Sequence, residues 1–343
     1  MAYVCAATHA LTFISPGTNT SSFARSSSAP GIRARVAFAI AIALLAALLC
    51  YGNTLTPWGR PADFGQSWFG ARAILAGRDP YSLVGPGLAY DWPWPLFYPA
   101  TSFIVAMPFA VLPQLPASLA FVFLSCGLLA FAVTETGWQR APMFGSAAFI
   151  FAAGSAQWSP LFTAALTIPA LAVAFAAKPT IGLALAAAGS MRVRQYALGG
   201  ALLTMLLSLA LFPSWPVEWL ANLRRAPHIV SPLFRLGGVT ILLALLRWKR
   251  PEARLIIALA CVPQTGAWYE ALPLFLVADT FHETMTLSVL SCLGFLLYYP
   301  LMDAGSDVQV NHDIGALIVA FVYLPATIMV LRRPNQRDID QVR

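Results

Sequence analysis

Long apolar runs separated by short polar segments dominate this sequence of 343 residues. The first run, VAFAIAIALLAALLCYG at residues 36–52, approaches the roughly 20 apolar residues that a helix needs to cross a bilayer. Shorter runs follow, and they predict further spans, some of them tilted, re-entrant or paired at a bend. They lie near residues 99–113, 117–134, 142–155, 158–177, 179–190, 197–212, 235–248, 255–267, 268–281, 285–300 and 315–331. The pattern predicts an all-α polytopic membrane protein with about nine to twelve transmembrane helices.

Charged residues lie between the apolar runs and predict the orientation of the chain. Arg33 and Arg35 precede the first run, so the positive-inside rule places the N-terminus in the cytoplasm. If all the runs cross, the C-terminus and three basic clusters are also cytoplasmic. The clusters lie at residues 192–194, 247–254 and 332–337. The loop 53–98 then lies outside, together with Asp303, Asp307 and Asp313. Arg224 and Arg225 also lie outside, which departs from the positive-inside rule, so they are candidates to bind an anion.

Three regions follow from this pattern. Residues 1–35 are rich in Ser, Thr and Ala and contain arginines but no acid, which predicts a disordered or targeting-like N-terminal tail. Residues 36–331 are expected to form a single transmembrane domain. Residues 332–343 are expected to form a cytoplasmic C-terminal tail.

Composition supports the membrane class. Hydrophobic residues make up 59% of the chain and charged residues 10%, whereas a soluble domain carries about 25% charged residues. The net charge of +7 therefore indicates membrane anchoring, not nucleic-acid binding. The five cysteines lack metal-ligand spacing, so we expect buried thiols, with no metal and no cofactor.

The loop 53–98 carries the local signals of one short helix. Asp63 and Gln66 resemble a capping box, and the apolar positions 64, 68, 71 and 75 recur at helical spacing. They predict an amphipathic helix over residues 64–76 at the membrane surface, ended by Gly77 and by Pro80. On this reading Asp63 is needed only as a helix cap. The aromatic residues that follow fit either an interfacial belt or a groove for a sugar or lipid phosphate; they are Tyr81, Tyr90, Trp92, Trp94, Phe97 and Tyr98.

This loop and the segments after it resemble glycosyltransferase family 87. The motifs of that family are matched in order by Asp63-Phe64, Gly77 to Tyr81, Tyr98-Pro99, Pro108 to Pro113, Ala156-Gln157, Lys178-Pro179, residues 214–223 and residues 263–274. The resemblance covers roughly residues 36–300. Two positions depart from the family pattern, because Ala100 stands where the family has a proline and Ala156 where it has a glycine.

The resemblance implies a GT-C-type bundle with an outer catalytic loop at residues 53–98. It further implies a hexosyltransferase that needs no metal and moves a sugar, with mannose favoured, from a polyprenyl-phosphate donor. The acceptor would be a lipid or glycan hydroxyl on the outer face of a membrane, with the bacterial plasma membrane favoured. Asp63 would be the general base. The partners would be these two substrates and membrane lipids, with no nucleic acid.

Eight further residues are candidates for substrate binding. Lys178 interrupts a long apolar stretch, so it is either a functional cation or a snorkelling helix end. The other candidates are Arg224, Arg225, His228, Tyr81, Tyr98, Gln157 and Glu270. Asp79 starts an ordinary Asp-Pro turn, and Asp91 fits a solvated loop acid.

Two other functions compete with glycosyl transfer. A transporter or flippase should show buried acidic relays or broken helices in matching halves. Most acids here lie in loops, and the two halves of the chain do not mirror each other. A non-catalytic membrane subunit would use Asp63 only as a cap, and it would tolerate the loss of its carboxylate.

Overall fold

In the computed structural model the chain is mostly helical, and it is described over residues 30–56, 63–226, 229–264, 268–298 and 315–335. The α-helices are α1 (Ile32–Thr54), α2 (Asp63–Leu75), α3 (Ala100–Ala106), α4 (Gln114–Val133), α5 (Ala147–Gly154), α6 (Ser159–Ala165), α7 (Pro179–Ala188), α8 (Met191–Leu211), α9 (Trp215–Leu223), α10 (Pro251–Cys261), α11 (Phe281–Tyr298) and α12 (Gly315–Leu331, with a π turn at Val319–Tyr323). The 3₁₀ helices are Pro80–Ser82, Met107–Phe109, Ala141–Gly145, Pro169–Ala177, Pro232–Phe234, Gly238–Arg247 and Trp268–Val277. Two short parallel strands, β1 (Val84–Gly85) and β2 (Tyr90–Asp91), pair with Val84 opposite Tyr90.

Within the described ranges, four helices are long and apolar enough to cross a membrane. They are α1, α4, α8 and α11, and several shorter apolar helices accompany them. The membrane class predicted from the sequence agrees with this finding. The first helix begins at Ile32, a turn before the predicted run, so the predicted tail at residues 1–35 overlaps α1. The Arg35 guanidinium donates a hydrogen bond to the Phe131 carbonyl at the far end of α4 (2.8 Å).

The end of α2 follows the prediction closely. Gly77 has φ +64°, a left-handed conformation that costs glycine little. Its N–H donates to the Ile74 carbonyl, and the Arg78 N–H donates to the Ala73 carbonyl, which together form a Schellman motif. The Asp79 carboxylate then accepts the Tyr81 N–H (2.8 Å) and starts the next turn. The structural role predicted for Asp79 is confirmed.

Helix α2 is a buried helix and not the half-exposed amphipathic helix that the sequence predicted. The helix is buried on nearly all sides, and its Phe64 ring stacks on Phe121 with centroids 4.1 Å apart. Gly70 lies directly against the Phe103 ring, where a larger residue would not fit. Leu75, assigned to the apolar face, is 59% exposed, and Ile74 is buried in its place. The cause is packing against α3 and α4 on several faces, which a single-stripe pattern does not encode.

The apolar run at residues 158–177 is broken into a helical hairpin. It consists of α6, a turn at residues 166–168 and the 3₁₀ helix Pro169–Ala177, and the two arms contact each other through Phe162 and Phe175 (ring centroids 5.3 Å apart). The returning arm is fixed to α3, because the Thr101 hydroxyl donates to the Ala176 carbonyl (2.6 Å). The hairpin therefore brings the residues just before it and just after it to the same region of the protein.

A group of arginines joins the ends of several helices, and we call this region the arginine end. Arg333 contacts the carboxylates of Asp279 (2.9 Å) and Glu283 (2.6 Å), and Arg140 lies 4.0 Å from Asp279. Arg247 donates to the main-chain carbonyl of Arg333 (2.7 Å). Residues 333–335, which the sequence assigned to a C-terminal tail, are thus tied into the folded domain by these contacts and by a hydrogen bond from Arg250 to the Pro334 carbonyl.

Candidate functional site

The hairpin places Gln157 beside the aspartate that opens α2. The Gln157 side-chain amide donates to the Asp63 carboxylate at 2.5 Å, and the Gln66 amide lies 3.4 Å from its other oxygen. The Asp63 main-chain N–H donates to the Ser155 carbonyl (3.1 Å). The predicted capping box is therefore wrong. It requires the Gln66 side chain to accept the Asp63 main-chain N–H, but that N–H is bonded to Ser155, and the Gln66 amide contacts the Asp63 carboxylate instead.

The other end of the hairpin supplies a buried ion pair. The Lys178 ammonium lies 2.7 Å from the Glu270 carboxylate, whose side chain is only 3% exposed. It also lies 3.5 Å from the Tyr269 hydroxyl and 4.9 Å from the centroid of the Tyr269 ring. A snorkelling lysine would extend toward water, whereas the Lys178 ammonium points inward to Glu270, so Lys178 is not a snorkelling helix end.

These two pairs form one electrostatic unit, which we call the charged cluster: Asp63, Gln157, Lys178, Tyr269 and Glu270. Burial raises the pKa of the Asp63 carboxyl above its ordinary value, and the negative charge of Glu270 adds to the rise. The Lys178 ammonium and the Gln157 hydrogen bond oppose it. An aspartate whose carboxylate is held in place by an amide is positioned to accept a proton from a bound hydroxyl.

The residue before Gln157 is held in a strained conformation. Ala156 has φ +45° and is fully buried, and a non-glycine residue in the left-handed region costs roughly 1–2 kcal/mol. The resemblance to family 87 expects glycine at this position. The left-handed turn ends α5 and redirects the chain, so that Gln157 reaches Asp63.

We expect Ala156→Gly to change the free energy of unfolding by less than about 0.5 kcal/mol, because relief of strain offsets the loss of a buried methyl group worth about 0.8 kcal/mol. Ala153→Gly is the matched control, since Ala153 is equally buried but lies inside α5. Ala153→Gly relieves no strain, so it should lower the free energy of unfolding by about 2 kcal/mol. Thermal unfolding in detergent would compare the two variants. Equal losses would contradict the strain at Ala156.

Tyr81 and Tyr98 lie next to each other, but they differ in what they offer a ligand. The Tyr81 hydroxyl donates to the Tyr98 carbonyl (3.1 Å), so its hydrogen is committed inside the protein. This favours a positioning role for Tyr81 over the predicted substrate contact. Tyr98 lies close enough to Asp63 and Lys178 to interact with both electrostatically.

Helix α9 is fixed to the same stretch of loop. The Trp219 indole donates to the Phe97 carbonyl (2.9 Å), and the Asn222 amide donates to the Leu96 carbonyl (3.2 Å). Arg224 and Arg225 directly follow α9 and are exposed. They stand at the edge of the loop that carries Tyr98 and are not members of the charged cluster. His228 lies outside the described residues.

Sequence reasoning missed the roles of Tyr269 and Tyr90. Tyr269 stands directly before Glu270, and an aromatic residue adjoining an acid in an apolar run was the available signal. Burial and the negative charge of Asp63 raise the pKa of the Tyr90 hydroxyl, which accepts a hydrogen bond from Gln114 (3.0 Å). Asp91, predicted to be a solvated acid, is exposed and accepts the Gly87 N–H (2.9 Å).

Comparison with family models, with curated proteins and with solved structures produced no match to this chain. The class of protein is therefore defined by the fold alone, as a mostly helical protein with candidate membrane spans in the described ranges. No group of three or more His, Cys, Asp or Glu side chains suited to a metal occurs in the part of the chain that the structure describes.

Proposed function

We propose that this protein is an integral-membrane glycosyltransferase that moves a hexose, with mannose favoured, from a polyprenyl phosphate to a lipid or glycan hydroxyl. The observation that carries the proposal is the convergence of Asp63, Gln157, Lys178 and Glu270. These residues were selected from the sequence by their resemblance to motifs of family 87, and they lie far apart along the chain. A base and a cation side by side meet the two needs of glycosyl transfer from a lipid phosphate.

The proposed reaction has one proton transfer and one displacement. Asp63 accepts the proton of the acceptor hydroxyl while the acceptor oxygen forms a bond to the anomeric carbon of the sugar. The bond from that carbon to the phosphate oxygen breaks, and the lipid phosphate leaves with the electron pair. Gln157 orients the Asp63 carboxylate, and Lys178 stabilises the negative charge that grows on the phosphate.

Glu270 has two roles in this scheme. Its carboxylate holds the Lys178 ammonium inside the apolar bundle, where an unpaired charge would be costly. When the donor is present, the phosphate competes with Glu270 for the ammonium, and the carboxylate becomes available to a sugar hydroxyl. Tyr269 supports the ammonium from the face of its ring.

The topology that we propose is a bundle of about ten crossings with both termini on the cytoplasmic side. Support comes from the arginine end, which holds the start of α1, the end of α12 and the ends of several other helices. The hairpin at residues 158–177 and the segment 99–113 do not cross in this topology. The crossings are α1, α4, residues 141–154, α7, α8, residues 238–247, α10, residues 268–277, α11 and α12.

We expect Arg225→Ala to raise the KM for a polyprenyl-phosphate sugar about tenfold and to leave kcat unchanged, because an exposed arginine at the loop edge would bind the phosphate equally in the ground state and in the transition state. Arg224→Ala should have the same effect if both arginines take part. Arg192→Ala, an exposed arginine at the start of α8, is the control. Unchanged donor KM values in both loop variants would remove them from donor binding.

A transfer assay tests the proposed function. Purified protein in lipid is incubated with a membrane-lipid extract and with radiolabelled polyprenyl-phosphate mannose, glucose or arabinose in turn. A labelled product made with mannose would support the proposal, and a product made only with another sugar would change the donor. If folded protein neither forms a product nor binds polyprenyl phosphate, the proposal fails.

One feature also fits a transporter or flippase, namely the Lys178–Glu270 pair inside the apolar bundle. Ion pairs at membrane depth mark substrate or ion pathways in that class. Flux of the labelled donor lipid between the leaflets of proteoliposomes, without formation of a product, would favour this second function.

A further inference from the structure

An apolar groove of about 420 Å³ opens between α1 and α5. Its walls are Leu45, Leu48 and Leu49 of α1 and Ile150 and Phe151 of α5. Leu45, Leu48 and Ile150 are exposed, and α1 is a candidate membrane span, so the groove faces the side on which lipid chains would lie. An elongated apolar surface of this kind accepts a hydrocarbon chain in preference to a polar solute.

One end of the groove is polar and adjoins the charged cluster. It is formed by Gly52 and Asn53 at the end of α1 and by Gly154 and Ser155 at the end of α5. The Ser155 carbonyl accepts the main-chain N–H of Asp63 (3.1 Å). A chain lying in the groove would therefore deliver its polar end to the side of the cluster that holds the carboxylate.

Aromatic side chains separate the groove from the Lys178 ammonium. The Phe151 ring, which lines the groove, stacks with the Tyr269 ring at 6.5 Å between centroids. Lys178 contacts that same Tyr269 ring. The Tyr269 side chain thus stands between the groove and the ammonium, so a molecule seated in the groove meets Asp63 before Lys178.

We propose that this groove holds the hydrocarbon chain of the acceptor, and hence that the acceptor is a membrane lipid with a hydroxylated head group. The inference rests on the proposed function, in which Asp63 is the base that accepts the proton of the acceptor. The donor has to present its phosphate to Lys178, on the far side of the Tyr269 ring, so its polyprenyl chain enters from another direction.

Photolabelling in lipid nanodiscs tests the assignment without requiring turnover. One probe is a dodecyl mannoside with a diazirine on its chain, and the other is a polyprenyl phosphate with the same group. The variant is Gly52→Leu, because a Cβ at Gly52 meets no other described atom within 4 Å and the added side chain would fill the groove without disturbing the fold. Gly199→Leu is the matched control, since Gly199 is also helical and equally open, but lies on α8.

The mannoside should label residues 45–53 and 150–155, and Gly52→Leu should reduce that labelling about tenfold, while Gly199→Leu should leave it unchanged. In a transfer assay with mannosides as acceptors, Gly52→Leu should raise the KM for a dodecyl mannoside. It should leave the KM for methyl mannoside, which lacks the hydrocarbon chain, unchanged. Labelling of the groove by polyprenyl phosphate, or undiminished labelling in Gly52→Leu, would overturn the assignment. Transfer without groove labelling would overturn the groove assignment alone. Groove labelling with neither transfer from any donor nor binding of polyprenyl phosphate would overturn the proposed function.

Discussion

Asp63→Asn is expected to lower kcat for glycosyl transfer about 10²–10⁴-fold, because the acceptor hydroxyl loses the group that takes its proton. The fold should persist, since an asparagine preserves the shape of the side chain and Gln157 can turn its amide to accept the new N–H. The measurement is product formation by the folded variant in lipid. Wild-type turnover in Asp63→Asn would remove Asp63 from the mechanism.

Asp91→Asn is the matched control, because it makes the same change in the same loop at an exposed position. An asparagine oxygen can still accept the Gly87 N–H, so neither fold nor activity should change. The pH profile adds a second readout. The rate for the wild type should fall as pH falls through the pKa of Asp63, which burial raises above the ordinary value of 3.8. The residual activity of Asp63→Asn should lack this dependence.

Lys178→Met is expected to destabilise the folded state by about 3–5 kcal/mol, because it leaves the Glu270 carboxylate buried without the ammonium that lies 2.7 Å away. The double variant Lys178→Met/Glu270→Gln should recover most of this loss, since it removes both charges together. Thermal unfolding in one detergent would rank the variants. A double variant as unstable as Lys178→Met would show that charge pairing is not the cause.

Lys249→Met is the control for the lysine change, because Lys249 is the other lysine of the chain and lies at the arginine end. It should change stability by less than about 0.5 kcal/mol. The double variant also separates stability from catalysis. If Lys178 binds the leaving phosphate, Lys178→Met/Glu270→Gln should be folded and still inactive. Normal transfer by this variant would contradict the role assigned to Lys178.

Local signals in the sequence predicted local structure well. The end of α2 depends on Gly77 and on residues within one turn of it, so the pattern was sufficient. The burial of α2 depends on α3 and α4, whose positions no local pattern specifies. The long 3₁₀ helices, such as Pro169–Ala177, were not predicted either, because a continuous apolar run has no periodicity that distinguishes a 3₁₀ from an α-helix.

The charged cluster was predicted as a set of residues but not as an arrangement. Asp63, Gln157, Lys178 and Glu270 were each named, on the order of motifs that resemble family 87. The pairing of Asp63 with Gln157 and of Lys178 with Glu270 was not predicted, because the paired residues lie 94 and 92 positions apart in the chain. Arg224 and Arg225, which were predicted as outer-loop candidates for substrate binding, stand outside the cluster at the edge of the loop, because α9 is bound to residues 96–97.

The ion pairs at the arginine end impose an order on biosynthesis. Asp279 and Glu283 are translated about fifty residues before Arg333, which contacts them both. Until Arg333 has been synthesised, both carboxylates lack this partner, and Asp279 has Arg140 beside it (4.0 Å). A nascent chain that ends before Arg333 therefore lacks the ion pairs that Arg333 makes at the start of α11. Packing of α12 is therefore the step that completes the arginine end.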